Sequence, residues 1–154
     1  MATTVHGTAV LAGVHGILIR GGSGSGKSRL ALALIRRGAR LVADDRMHLA
    51  ARGGRLIAIA PAAAHGLIEL RGRGPVPVPH ERSCVISLVA DIVSGNELER
   101  LPEDTQMAAV LHGVAIPRQP VPETFEHALE LVTAALDVLS EAGNMGLRSA
   151  RLWG

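Results

Sequence analysis

At 154 residues, 47% hydrophobic and 19% charged, the chain has the length and composition of one globular domain with a substantial core. Sixteen basic residues face 14 acidic ones, there is no tyrosine, and the one Phe and one Trp are not interleaved with a basic cluster, which argues against nucleic-acid binding. No run of about 18 apolar residues is present, the first residues lack a signal-type start, and the single cysteine, Cys84, excludes an internal disulfide. We therefore expect a cytoplasmic, membrane-free protein with Cys84 buried in a strand.

Alternation over residues 5–12 predicts a first strand, and Gly13-Val14-His15-Gly16 turns it towards a second at 17–20. Residues 21–28 then read Gly-Gly-Ser-Gly-Ser-Gly-Lys-Ser, a full match to G-x-x-x-x-G-K-[ST]. A helix starting near Lys27 follows over 30–37, with Leu30, Ala31, Leu34 and Ile35 on its apolar face and Gly38 at its C-terminal cap. Residues 40–43 form a short strand ending at Asp44-Asp45, and 48–60 read as a hairpin turning at Gly53-Gly54. Ala62-Ala63-Ala64 predicts one helical turn, 67–70 a strand broken by Gly72-Arg73-Gly74-Pro75, and 84–89 an apolar strand. Residues 97–106 read as a polar loop, and Pro117, Pro120 and Pro122 make the next connection extended. A long helix over 123–141 carries Phe125, Leu129, Val132, Leu136 and Leu139 at helical spacing, a core stripe. The sum is an α/β fold in a single domain over 1–142. The tail from Gly143 is expected to be loose, with Leu152-Trp153 able to dock on a neighbour.

The glycine-rich loop between a strand and a helix has a specific chemistry. Glycines let successive backbone N–H groups converge on a phosphate, and the helix dipole points its positive end there. Gly21, Gly22, Ser23, Gly24, Ser25, Gly26, Lys27 and Ser28 are thus the expected nucleotide contacts, with Lys27 reaching the β/γ-phosphates and Ser28 holding Mg²⁺. Asp44-Asp45 follow an apolar strand, where a carboxylate beside bound Mg²⁺ belongs, although alone the pair also reads as a solvated turn. Adjacent strand residues point to opposite faces, so only one of the two can face the phosphate. Glu69, embedded in apolar residues, needs either Arg71 or a metal if buried. His6 alone reads as a surface histidine.

The loop, its spacing to Val42-Ala43-Asp44-Asp45, and Ile68-Glu69-Leu70-Arg71-Gly72-Arg73-Gly74 together resemble the bacterial HPr kinase/phosphorylase family. The resemblance runs from His6 to about Val121 and corresponds to that family's C-terminal catalytic domain. It implies a nucleotide-binding core of the phosphoenolpyruvate carboxykinase type, ATP and Mg²⁺ as cofactors, the phosphocarrier protein HPr as acceptor, and a homohexamer. It also implies roles: His6 in the catalytic region, Lys27 as catalytic lysine, Ser28 and Glu69 as Mg²⁺ ligands. Asp44 would be the acid/base that takes the proton from the substrate serine, Asp45 its supporting carboxylate, and Arg100 the arginine of a D-R-[LI]-G segment.

Three places depart from the family pattern: Arg29 stands where an acidic residue is general, Gly22 where an acidic or other small polar residue is common (a milder change), and the segment from Ile116 continues into Glu123 and Glu126 rather than a basic, glycine-containing loop. Carboxylates there would repel an anionic phospho-substrate, so kinase activity with at most weak phosphorolysis is expected. Two alternatives share these residues: a kinase of a small-molecule acceptor, and a nucleotide-binding regulatory protein with impaired transfer.

Overall fold

Ile17-Leu18-Ile19 is apolar without interruption, so a strand built from it must be covered on both faces. A computed structural model, describing residues 2–63, 66–98 and 102–143, meets that demand. The three residues lie in β3 (His15–Arg20) and are at most 1% exposed. β3 pairs antiparallel with β2 (Thr8–Ala12) and parallel with β9 (Ser83–Ile92), and β2 pairs on its far side with β4 (Arg40–Ala43). Beyond β9 the mixed sheet continues through β6 (Arg55–Ile59) and β5 (Arg46–Arg52) to β1 (Thr3–His6). The end of β9 also pairs in parallel with β11 (Val114–Val121), which pairs with β10 (Ala108–Leu111). A separate hairpin joins β7 (Leu67–Leu70) to β8 (Gly74–Pro77).

Strand alternation splits the core in two. Ile17, Ile19, Leu88 and Ala90 face α1 (Lys27–Arg36) and α2 (Phe125–Gly143), meeting Leu30, Leu34, Val132 and Leu136. Leu18 and Val89 face the other way, against Met47, Leu49, Leu56 and Ile116. The parallel strands β3, β9 and β11 end together, and the glycine-rich loop leaves from the end of β3.

The strands at 40–43 and 67–70 have the expected bounds, and Gly53 and Gly54, both at positive φ (57° and 77°), turn the β5–β6 hairpin. Gly38, at φ 108°, follows the last turn of α1. The single strand expected over 5–12 is divided at Gly7, where the chain passes from β5 to the β3–β4 side. Residue 7 must be small, because a Cβ there would lie 3.2 Å from the Ile19 carbonyl oxygen. Ala62 and Ala63 lie in a turn rather than a helix, while Ala64 falls outside the described residues. The polar stretch contains short 3-10 turns at Gly95–Glu97 and Asp104–Met107.

Two proline-containing strands were not expected. Pro75 and Pro77 lie in β8, which pairs only with β7, and β11 pairs with β10 up to Pro117 and with β9 from Arg118. Each stretch is thus an edge on one side, where a missing N–H is tolerated. Leu152 and Trp153 fall outside the described residues.

Gly16 marks the tightest backbone approach, since a Cβ there would meet the Val85 carbonyl oxygen at 2.2 Å and Cys84 Sγ at 2.7 Å. Gly16→Ala should therefore lower unfolding free energy by about 3 kcal/mol, read by urea denaturation. Gly95→Ala, whose Cβ would meet nothing within 4 Å, should change it by less than about 0.5 kcal/mol. Burial pushes the Cys84 thiol up to about 12, so at about pH 8 a thiol reagent should label it only as fast as the protein opens.

Candidate active site

The loop owes its shape to glycine. Gly24 (φ 78°) and Gly26 (φ 107°) are left-handed, and Gly26 is the N-cap of α1. A Cβ at Gly22, Gly24 or Gly26 would meet nothing within 4 Å, so the hollow above the loop is open. Lys27 folds over this hollow, its Nζ donating to the carbonyls of Gly21 and Gly22, both at 3.0 Å. Ser28 begins the wall on the other side.

Asp44, at the end of β4, is the most connected side chain of the site. Its Oδ1 accepts from Ser28 Oγ at 2.8 Å and Thr8 Oγ1 at 3.1 Å, and its Oδ2 accepts from the backbone N–H of Glu69 at 2.8 Å. One carboxylate thus ties together the first turn of α1, β2, β4 and β7. Asp45 differs. It adopts φ 73°, its carbonyl accepts from Gly7 N–H at 3.0 Å, and its exposed carboxylate has no hydrogen bond or ion pair among the described residues.

Lys27, Ser28, Asp44, Asp45 and Glu69 line one open cavity of about 970 Å³, together with Thr8, Ser23, Gly24, Gly26 and the cations Arg29 and Arg71. Most of the residues expected at the site therefore meet. Ser25 lines a different cavity, with its buried Oγ unpartnered. His6 is exposed at the end of β1, opposite Arg46, and is not in the cavity lining. Arg100 lies outside the described residues. Glu69 is exposed on the cavity wall and makes no ion pair with Arg71, so the burial cost that would have demanded a partner does not arise.

Sequence reasoning missed Thr8, a fully buried hydroxyl that needs a partner and finds Asp44. It also missed Asp91, although Leu88-Val89-Ala90-Asp91 carries the same signal as Val42-Ala43-Asp44, a carboxylate ending an apolar strand. Asp91 is 8% exposed and accepts from Arg20 Nε at 2.7 Å and Nη2 at 2.8 Å, and from Arg118 Nε. Arg118 Nη1 also donates to the Gln106 carbonyl at 2.8 Å. This cluster clamps β3, β9 and β11 at the residue immediately before the loop. Burial pushes the Asp91 carboxyl up, but the Arg20 and Arg118 hydrogen bonds outweigh it and hold the group below its ordinary range.

A cation, a hydroxyl and carboxylates around one open hollow are the parts that metal-assisted phosphoryl transfer uses. The chain matches the family described as HPr Serine kinase C-terminal domain over residues 1–151. It belongs to the HPr serine kinase C-terminal domain family. Among the relatives of this family, HPr kinase/phosphorylase of Limosilactobacillus reuteri (strain DSM 20016) is 34% identical over 93% of this chain and 48% of its own length. That of Streptococcus salivarius is 32% identical over 97% and 52%. This HPr kinase-type domain thus spans about half the length of these relatives. The structure entitled Hpr(Ser) kinase/phosphatase from Coxiella burnetii is similar, with a TM-score of 0.79, 27% identity and coverage of 92% of this chain and 99% of that one. The α/β fold with its mixed sheet is therefore that of the HPr kinase C-terminal domain.

Removing the Asp91 charge should leave two arginines facing each other. Asp91→Asn should cost about 3–5 kcal/mol in urea unfolding at neutral pH. Because the folded carboxyl titrates below the unfolded one, its stabilisation is complete above about pH 4 and fades as pH falls further. The variant should lose that part of the wild-type decline in stability on acidification.

Proposed function

We propose that this domain is an ATP- and Mg²⁺-dependent kinase that phosphorylates a serine of HPr. The observation that carries the reading is the division of labour between neighbouring carboxylates. Asp44 accepts from three donors, Ser28 among them, while Asp45 stands unengaged in the cavity that also holds Lys27 and Glu69.

The donor set suits Mg²⁺. Ser28 Oγ and the carboxylates of Asp44 and Glu69 are hard oxygens, and a cavity wall offering only a few of them leaves room for waters and phosphate oxygens, as Mg²⁺ prefers. No group of three or more His, Cys, Asp or Glu among the described residues is arranged as an all-protein cage, which fits a metal shared with the nucleotide. Mg²⁺ held there would neutralise charge on the β- and γ-phosphate oxygens.

The remaining steps fall to the chain. Backbone N–H groups of the loop and the N-terminus of α1 would receive the phosphates, and Lys27 would leave the Gly21 and Gly22 carbonyls to follow the transferred group. Asp45 would orient the acceptor serine hydroxyl and take its proton late, since the transition state is loose. Asp44 would hold the Ser28 hydroxyl and fix the approach of β7. This exchanges the roles that the family resemblance implied for the two aspartates. It rests on which carboxylate has free oxygens. His6 adjoins the Gly7–Asp45 bond from outside the cavity lining and would meet the acceptor rather than the nucleotide. A homohexamer in a cytoplasmic setting is part of the same proposal.

The test is a set of variants assayed with HPr. Asp45→Asn should keep Mg²⁺-ATP affinity within about twofold and lower the transfer rate by about 100- to 10,000-fold. Asp44→Asn should weaken Mg²⁺-dependent nucleotide binding, and Lys27→Ala should impair binding and transfer together. Full transfer by Asp45→Asn would refute the assignment.

A further inference from the structure

A second cavity, of about 350 Å³, adjoins the loop and is not lined by Asp44, Asp45 or Glu69. It shares Gly24, Gly26 and Arg29 with the larger cavity, so the two are continuous across the loop. Its remaining walls combine the apolar Leu30, Ile92, Pro122, Phe125 and Ala128 with the carboxylate-bearing Glu123. Phe125 is the only phenylalanine of the chain, and the Arg29 guanidinium lies over its ring, 4.5 Å from the centroid. Ser25 Oγ, buried and without a partner, belongs to the same wall.

We infer that this cavity receives the purine base of the nucleotide, with Arg29, supported on Phe125, as the platform on which the base lies. The inference rests on the phosphate-loop reading above. If phosphates occupy the loop, the transferred end is marked by Lys27, Ser28, Asp44 and Glu69, all in the larger cavity. The base must then leave the loop in another direction. The smaller cavity adjoins the first turn of α1, is within the size range of small-ligand sites, and is walled by groups suited to a flat apolar ring. Guanidinium groups stack on aromatic rings and on bases alike, so an Arg held over a Phe can present its other face to a base. The larger cavity also has apolar residues, Leu67, Leu70 and Pro75, but no aromatic ring. Those residues belong to the β7–β8 hairpin. Ser25 Oγ would supply a hydrogen bond at the base or ribose edge.

The probes are ATP and inorganic tripolyphosphate, which has the phosphates without the base, titrated by calorimetry with Mg²⁺ into the full chain. Wild type should bind ATP at least about tenfold more tightly than tripolyphosphate, the order expected of a base-stacking platform. Arg29→Lys keeps the charge but loses the plane, and Phe125→Leu keeps the apolar volume but loses the ring. Each should weaken ATP by about three- to tenfold and leave tripolyphosphate unchanged, with an unaltered melting temperature showing that the fold is intact. Equal weakening of both ligands, or no weakening of either, would overturn the base site while leaving the phosphate loop standing. Failure of wild type to bind tripolyphosphate or ATP at all would overturn the phosphate-loop reading, and this inference with it.

Discussion

The carboxylate of Asp44 receives hydrogen bonds from Ser28, Thr8 and the backbone of Glu69, and the geometry of the site depends on those three contacts. They come from three different elements, α1, β2 and β7, which the sheet alone would not hold in one relation. Bonds to an ionised acceptor are stronger than neutral ones, so one half-buried charge fixes the loop helix and the β7–β8 hairpin to the sheet. With both oxygens of Asp44 accepting hydrogen bonds, we propose that its neighbour Asp45 handles the acceptor proton. Both aspartates line the same cavity, but Asp45, on a left-handed backbone, has its carboxylate exposed.

A second carboxylate does comparable work on the other flank. Asp91 holds Arg20 and Arg118 at the ends of three adjoining strands, and Arg20 is the residue before the loop begins. The loop thus rises from a clamped strand and enters a clamped helix. Between the two clamps lie Gly21, Gly22, Gly24 and Gly26, of which Gly24 and Gly26 are left-handed.

Much of this was legible in the sequence because the signals were local. Eight residues spelled the loop, Gly53-Gly54 marked a hairpin, and apolar periodicity gave α1 and α2. The meeting of Ser28, Asp44 and Glu69 followed from the family resemblance, which supplies long-range information that spacing cannot. What escaped was non-local. β11 was hidden because Pro117, Arg118, Gln119 and Pro120 do not look like a strand, and only pairing with β9 and β10 makes them one. The break at Gly7 depends on the Ile19 backbone lying close by, and the Asp91 cluster depends on residues 71 and 27 positions apart in the chain. The roles proposed for Asp44 and Asp45 rest on which carboxylate is already hydrogen-bonded, a property of the fold.

The proposed function is transfer of a phosphoryl group to HPr by this domain, which spans about half the length of the relatives it matches. Its most direct test is the intact mass of HPr after incubation with the purified domain, ATP and Mg²⁺. The account predicts gain of one phosphoryl group on a serine, dependent on both ATP and Mg²⁺. Unmodified HPr, with the domain folded and ATP bound, would contradict it and point to another acceptor or to a nucleotide-sensing role.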